Sequence, residues 1–114
     1  MRSATRLWLA AAAVSLALLS GCGNADSGGY TVADDKDAFP QAVTLYQASC
    51  LACHGNDLQG RMNPQSNLSQ VGARYDKDAI IGIVREGRDL MPSFKDVLSE
   101  EDFQALAEWL ATKK

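Results

Sequence analysis

Six residues near the middle of the chain, Cys50-Leu51-Ala52-Cys53-His54-Gly55, constrain this sequence more than any other stretch, because they gather two of its three cysteines and its only histidine. Two thiols two residues apart serve as a redox dithiol, as half of a zinc site, or as points of covalent attachment. A zinc site takes four ligands, usually two pairs drawn from Cys and His, and the one cysteine left over, Cys22, lies toward the N-terminus. A thioredoxin-like dithiol opens a helix after a strand, whereas this pair follows an apolar stripe of helical spacing, Phe39, Val43, Tyr46 and Cys50. An idle surface pair would be a liability in an oxidising compartment. Cys-x-x-Cys-His is also the attachment signature of c-type haem. One helical turn between Cys50 and Cys53 brings both sulfurs to one porphyrin edge, where they form thioethers. His54, next in sequence, swings its imidazole under the iron as the proximal ligand. The expected cofactor is one covalently bound haem c.

The N-terminus agrees, since this haem is attached after export. Arg2 and Arg6 precede an uncharged apolar run from Leu7 to Leu18, followed by Leu19-Ser20-Gly21-Cys22. That is a secretory signal, too short for a membrane span of about 20 apolar residues. Its ending has the pattern of a bacterial lipobox: residues 1–21 are expected to leave as a lipoprotein signal peptide and Cys22 to carry the lipid. A cut after Ala25 is the alternative and would discard Cys22. A diacylated, N-acylated Cys22 supplies the more than one chain that stable membrane attachment requires. All three thiols then have a fate.

After Cys22, residues 23–38 are small and acidic with no apolar period, so 22–38 is expected to be a lipidated cysteine and a flexible tether, and 39–114 the folded domain. A core that small usually enlists a disulfide, a metal or a cofactor. From Cys22 onward nine basic and fourteen acidic residues remain, a net charge of −5. This makes nucleic acid a poor partner and suits a basic docking face.

The rest reads as helices. Asp37 to Pro40 makes a helix start, with proline in the first turn. A second helix begins at Asp76, carries Ile80, Ile81, Ile83 and Val84, and stops at Gly87; Gly82 within it either weakens the helix or marks a close contact. A third is announced by Ser99 and Asp102 as a near capping box and continues through Phe103, Leu106 and Leu110. Sustained apolar–polar alternation is missing, which argues against a sheet.

With "LYQASCLACHGNDLQG" (45–60), "MPSF" (91–94) and "ALAEWLATKK" (105–114), the chain resembles a small class I single-haem cytochrome c, in particular the lipid-anchored small cytochromes c of Gram-positive bacteria. The likeness covers about Phe39 to Lys114. It implies an all-α fold, three main helices and loops wrapped around the haem, with Met91 as the second axial ligand of the iron. Pro92 would hold Met91 in an extended, projecting backbone; Met62 is the rival ligand, within chain reach but in a turn-like "GRMNP". The resemblance further implies that the carbonyl of Pro64 accepts the hydrogen bond of the His54 ring N–H, with Asn63, a residue tolerant of positive φ, where the family often has glycine. Pro64 and Leu68 are four apart, where a shorter spacing is common. Tyr46 and Trp109 would pack the terminal helices together, and Leu68, Val71, Ile80, Ile83, Val84, Phe94, Phe103 and Leu106 would line the pocket.

The function so implied is that of a membrane-tethered one-electron carrier on the extracytoplasmic face of the cell membrane. It would be a monomer and no enzyme, running between a quinol-oxidising complex or dehydrogenase and a terminal oxidase. The rival readings are a haem-based gas sensor or ligand-binding module, and a fixed accessory haem subunit of one oxidase or reductase.

Overall fold

The computed structural model describes residues 28–114; the expected signal peptide, Cys22 and the start of the tether lie outside the described residues. Three main helices carry the body: α1 (Pro40–Ser49), α4 (Lys77–Glu86) and α5 (Glu100–Leu110), with single turns α2 (Leu51–His54) and α3 (Val71–Arg74) between them. Short 3-10 turns stand at Val32–Asp35 and Pro64–Ser66. Among the described residues the only extended pairing is an isolated antiparallel bridge between Arg88 and Met91, so the fold is the expected all-α one.

The helix ends follow local signals. Pro40 sits in the first turn of α1. The Asp76 carboxylate accepts from the Ala79 N–H to open α4, and Gly87, at φ +74°, closes it. Ser99 and Asp102 form a reciprocal capping box on α5. A stripe of α5, Phe103, Leu106, Ala107 and Leu110, is buried against α1 and α4. Where α1 meets α5, Tyr46 and Trp109 are both fully buried and pack edge to face with ring centroids 5.2 Å apart, a geometry that contributes about 1 kcal/mol beyond the area it buries.

Two expectations move. The folded body begins before Phe39. Val32 is fully buried, its N–H donates to the Asn56 carbonyl (2.8 Å), and Asp35 accepts from Tyr30 Oη (2.7 Å), Trp109 Nε1 (2.7 Å) and Lys113 Nζ. Residues 30–35 are therefore a strap across α1 and α5, because one apolar side chain and one carboxylate find partners that lie far away in sequence. The close backbone approach is at Gly72, not Gly82: a Cβ on Gly72 would sit 2.2 Å from the Ala111 carbonyl oxygen, whereas one on Gly82 would meet nothing within 4 Å.

Candidate haem site

The apolar stripe of α1 delivers the chain into α2, one turn that holds Cys50 at its N-cap and Cys53 and His54 within it. Gly55, at φ +83°, ends that turn; the buried Tyr46 hydroxyl donates to its carbonyl at 2.6 Å. The chain then folds back along α2: Gly60 N–H donates to the His54 carbonyl (2.8 Å) and Arg61 N–H to the Cys53 carbonyl (2.9 Å).

Cys50, Cys53 and His54 line a cavity of about 470 Å³, within the size range of sites for organic ligands. Its walls include Leu68, Val71, Ile80, Ile83, Val84, Phe94 and Leu106, seven of the eight apolar residues expected there. Phe103 is the exception: it is 3% exposed in the α4–α5 core, with the Arg85 guanidinium 4.9 Å from its ring centroid. It shares one face of α5 with Leu106 and Leu110 but lies about one and two turns before them, so it packs past the end of the cavity. Leu110, Tyr75, Arg74 and Arg88 also line the cavity, although the sequence did not place them there. Leu110 shares the Leu106 spacing that could have flagged it; the others lie in loops or at helix ends with no periodicity.

Both thiols are free. Burial, assisted by the neighbouring Cys53, pushes the Cys50 thiol up to about 11, opposite to the lowered values of attacking redox dithiols. Among the described residues no three His, Cys, Asp or Glu side chains converge as ligands of one ion; the motif is spread along a wall. His54 Nδ1 lies 2.7 Å from the Ser66 carbonyl oxygen. A carbonyl can only accept, so Nδ1 carries the hydrogen of this bond and Nε2 is the nitrogen left for a ligand.

That acceptor corrects the expectation for Pro64. The Pro64 carbonyl is turned inward and accepts from the Asn67 N–H (3.3 Å) at the end of its own 3-10 turn. The loop is pinned beyond the turn, by Leu68 N–H on the Leu58 carbonyl (2.7 Å), and counting back from that anchor brings Ser66, not Pro64, under the histidine. Asn63 takes an extended backbone (φ −159°) rather than positive φ, and its side chain caps the turn by accepting from the Ser66 N–H (3.0 Å).

Met91 reaches the same cavity from the loop after α4. Arg88 and Met91 exchange both backbone hydrogen bonds (3.1 and 2.8 Å) across a two-residue turn in which Asp89 holds φ +52°. Pro92 follows directly, and the loop is tied back to α4 by Phe94 N–H on the Val84 carbonyl (3.2 Å) and Ser93 Oγ on the Arg85 carbonyl (2.6 Å). Met62 also touches the cavity but is 56% exposed at its mouth, while Met91 is half-buried.

These residues fit a covalently held haem: two thiols one turn apart, an imidazole with one nitrogen already committed, an apolar wall and a thioether. The comparisons agree. A family model described as cytochrome c oxidase, cbb3-type, subunit III, matches residues 37–110. The chain is 36% identical over 100 residues to cytochrome c-551 of Bacillus subtilis, covering 85% of this chain and 86% of that protein. To cytochrome c-550 of the same organism it is 32% identical over 82 residues, covering 72% and 65%. Among solved structures, cytochrome c6C from Synechococcus sp. PCC 7002 superposes with a TM-score of 0.56 at 25% identity, over 63% of this chain and 92% of that one.

Proposed function

This chain belongs to the cytochrome c family as a small class I member, and from that premise we propose that it is a membrane-tethered one-electron carrier, taking electrons from a quinol-oxidising complex or dehydrogenase and passing them to a terminal oxidase. Its cofactor is covalently bound haem c, as in its relatives; when bound, haem c supplies a one-electron couple. Cys50 and Cys53 hold it as thioethers. His54 Nε2 and the Met91 thioether would ligate its iron, a pair that would set a high potential and leave no place for a substrate.

One observation carries this reading: Cys50, Cys53, His54 and Met91 come from two separate segments yet line one apolar cavity. Burial favours Met91 over the exposed Met62. The apolar walls keep water from the site, which also tunes the potential. No helix among the described residues is long and apolar enough to cross a membrane; the tether in this reading is the lipid on Cys22, supported by the "LSGC" pattern.

A potentiometric and optical titration of the purified holoprotein, wild type beside Met91→Ala, tests the ligand pair: a sharp fall in midpoint with Met91→Ala is expected, and an unchanged midpoint would pass the role to Met62. Rapid stoichiometric carbon monoxide binding by the reduced wild type at neutral pH would overturn the carrier reading in favour of a ligand-binding module. The matched family's description names an oxidase subunit; quantitative co-purification with one oxidase after mild detergent extraction would replace the mobile carrier by a fixed subunit.

A further inference from the structure

The hydrogen bond at His54 Nδ1 is delivered by a turn that has few other tasks. Among the described residues, the aromatic Tyr46 and Trp109 aside, Ser66 is the only buried polar residue, and every hydrogen-bonding group it owns is engaged. Its N–H is shared between Asn63 Oδ1 (3.0 Å) and the Asn63 carbonyl (3.0 Å), and its Oγ donates to the Asn63 carbonyl (2.6 Å) and accepts from the N–H groups of Asn63 (3.3 Å) and Met62 (3.4 Å). Its carbonyl is left for the imidazole. Behind it, Gly60 at φ +84° lets the Ser66 side chain come close enough that a Cβ there would lie 2.4 Å from Oγ. Gly60 in turn is bonded to the His54 carbonyl. Asn63, an exposed residue that also lines the cavity, thus helps through Ser66 to hold the direction of one carbonyl.

The geometry points to Asn63 as a positioning residue for the haem site: its side chain caps the Pro64–Ser66 turn so that the Ser66 carbonyl holds His54 Nδ1–H, and this sets the donor strength of His54 Nε2. The inference rests on His54 being the proximal ligand. A partner on the outer nitrogen makes a ligating imidazole more basic, and a more basic ligand favours the oxidised iron. Loss of the cap therefore raises the midpoint. A tenfold change in the ratio of oxidised to reduced iron corresponds, for one electron, to a midpoint shift of about 59 mV.

The experiment uses the full-length holoprotein. In the oxidised wild type, hyperfine-shifted ring resonances of its single histidine identify His54 as the ligand; their absence would remove the underlying reading itself. With that established, Asn63→Ala is expected to raise the midpoint and to speed solvent exchange of the Nδ1 proton, and Asn63→Ser, which keeps a capping oxygen, to return both toward wild type. If Asn63→Ala lowers only the melting temperature while midpoint and proton exchange stay put, the residue is merely structural and the inference fails. Should Asn63→Ala not accumulate, Ser66→Ala, which keeps the carbonyl but frees the turn from Oγ, is expected to shift both readings the same way; no shift there overturns the inference equally.

Discussion

The segment carrying His54 and the segment carrying Met91 meet at one cavity but are built differently. Around His54, the ring is bonded to the Ser66 carbonyl, the Cys53 and His54 carbonyls accept from the N–H groups of Arg61 and Gly60, and the Gly55 carbonyl accepts from buried Tyr46. The Met91 loop is a two-residue turn with Asp89 in the left-handed region and Leu90 73% exposed, attached to the frame mainly at the C-terminal end of α4. One ligand is held by a network that closes on itself; the other is held by a surface loop with few buried contacts, the kind of segment that opens locally at low cost. The orientation of the imidazole is fixed by hydrogen bonds of the fold, whereas the hold on Met91 depends on its loop.

The strongest way to break that contrast is to remove the cofactor. In a Cys50→Ser/Cys53→Ser double variant no covalent pigment should survive a denaturing gel. Without haem the apolar walls of this cavity lose what fills them, and a core this small is marginal without such a supplement. Loss of the cooperative helical melt by circular dichroism is therefore expected. A native-like melt would show that the His54 network supports the fold unaided.

Next comes Met91→Ala, which strips the loop of its ligand and leaves the His54 side intact. Axial ligands span roughly 0.8 V, and a fall on the order of 0.2 V with new carbon monoxide binding is expected, readable by potentiometry. Smaller again is Gly87→Ala. Gly87 is at φ +74°, and a Cβ would lie 2.5 Å from the Met91 carbonyl oxygen and 2.7 Å from the Pro92 carbonyl carbon, both backbone atoms that cannot step aside. A loss of about 1–3 kcal/mol in thermal unfolding is expected, together with easier displacement of Met91 by an added ligand. Unchanged displacement would mean that the loop holds its ligand more firmly than its contacts suggest.

The parts of this molecule legible in its sequence are those governed by neighbours in the chain. Asp76, Gly87 and Ser99 end helices through bonds to residues within a turn or so, and the Cys50–His54 spacing reaches its geometry within α2. What the sequence hid depends on contacts far apart along it. Ser66 lies under His54 because Leu68 is pinned to Leu58, so a rule counted from proline chose Pro64. Val32 looked like a lone apolar residue in an acidic tether, since Asp35 finds Trp109 and Lys113 only in the fold. Gly72 gave no local sign of meeting Ala111. Phe103 shares the α5 stripe of Leu106 and Leu110 but lies in the first turn of the helix, a difference of position along the axis that periodicity does not report.

The strap offers the finest test, because it joins the His54 side and not the Met91 side: Val32 is bonded to Asn56, two residues beyond His54. Burial works against a charged Asp35, but hydrogen bonds from Lys113, Trp109 and Tyr30 outweigh it and hold the carboxyl below its ordinary value. A carboxyl lowered by folding adds stability that is complete above its unfolded value near 4 and is lost as pH falls through the lower folded one. The wild-type melting temperature should therefore decline below about pH 4 more steeply than that of Asp35→Asn. Near neutral pH the variant should lose about 1 kcal/mol, the upper end for a partly exposed ion pair. The midpoint potential should stay within error in both proteins at neutral pH, since the strap bears on the backbone beyond His54 and leaves the Ser66 carbonyl in place. Equal acid slopes would show that Asp35 is neutralised alike in both states; a shifted potential would mean that the His54 network reaches as far as the strap.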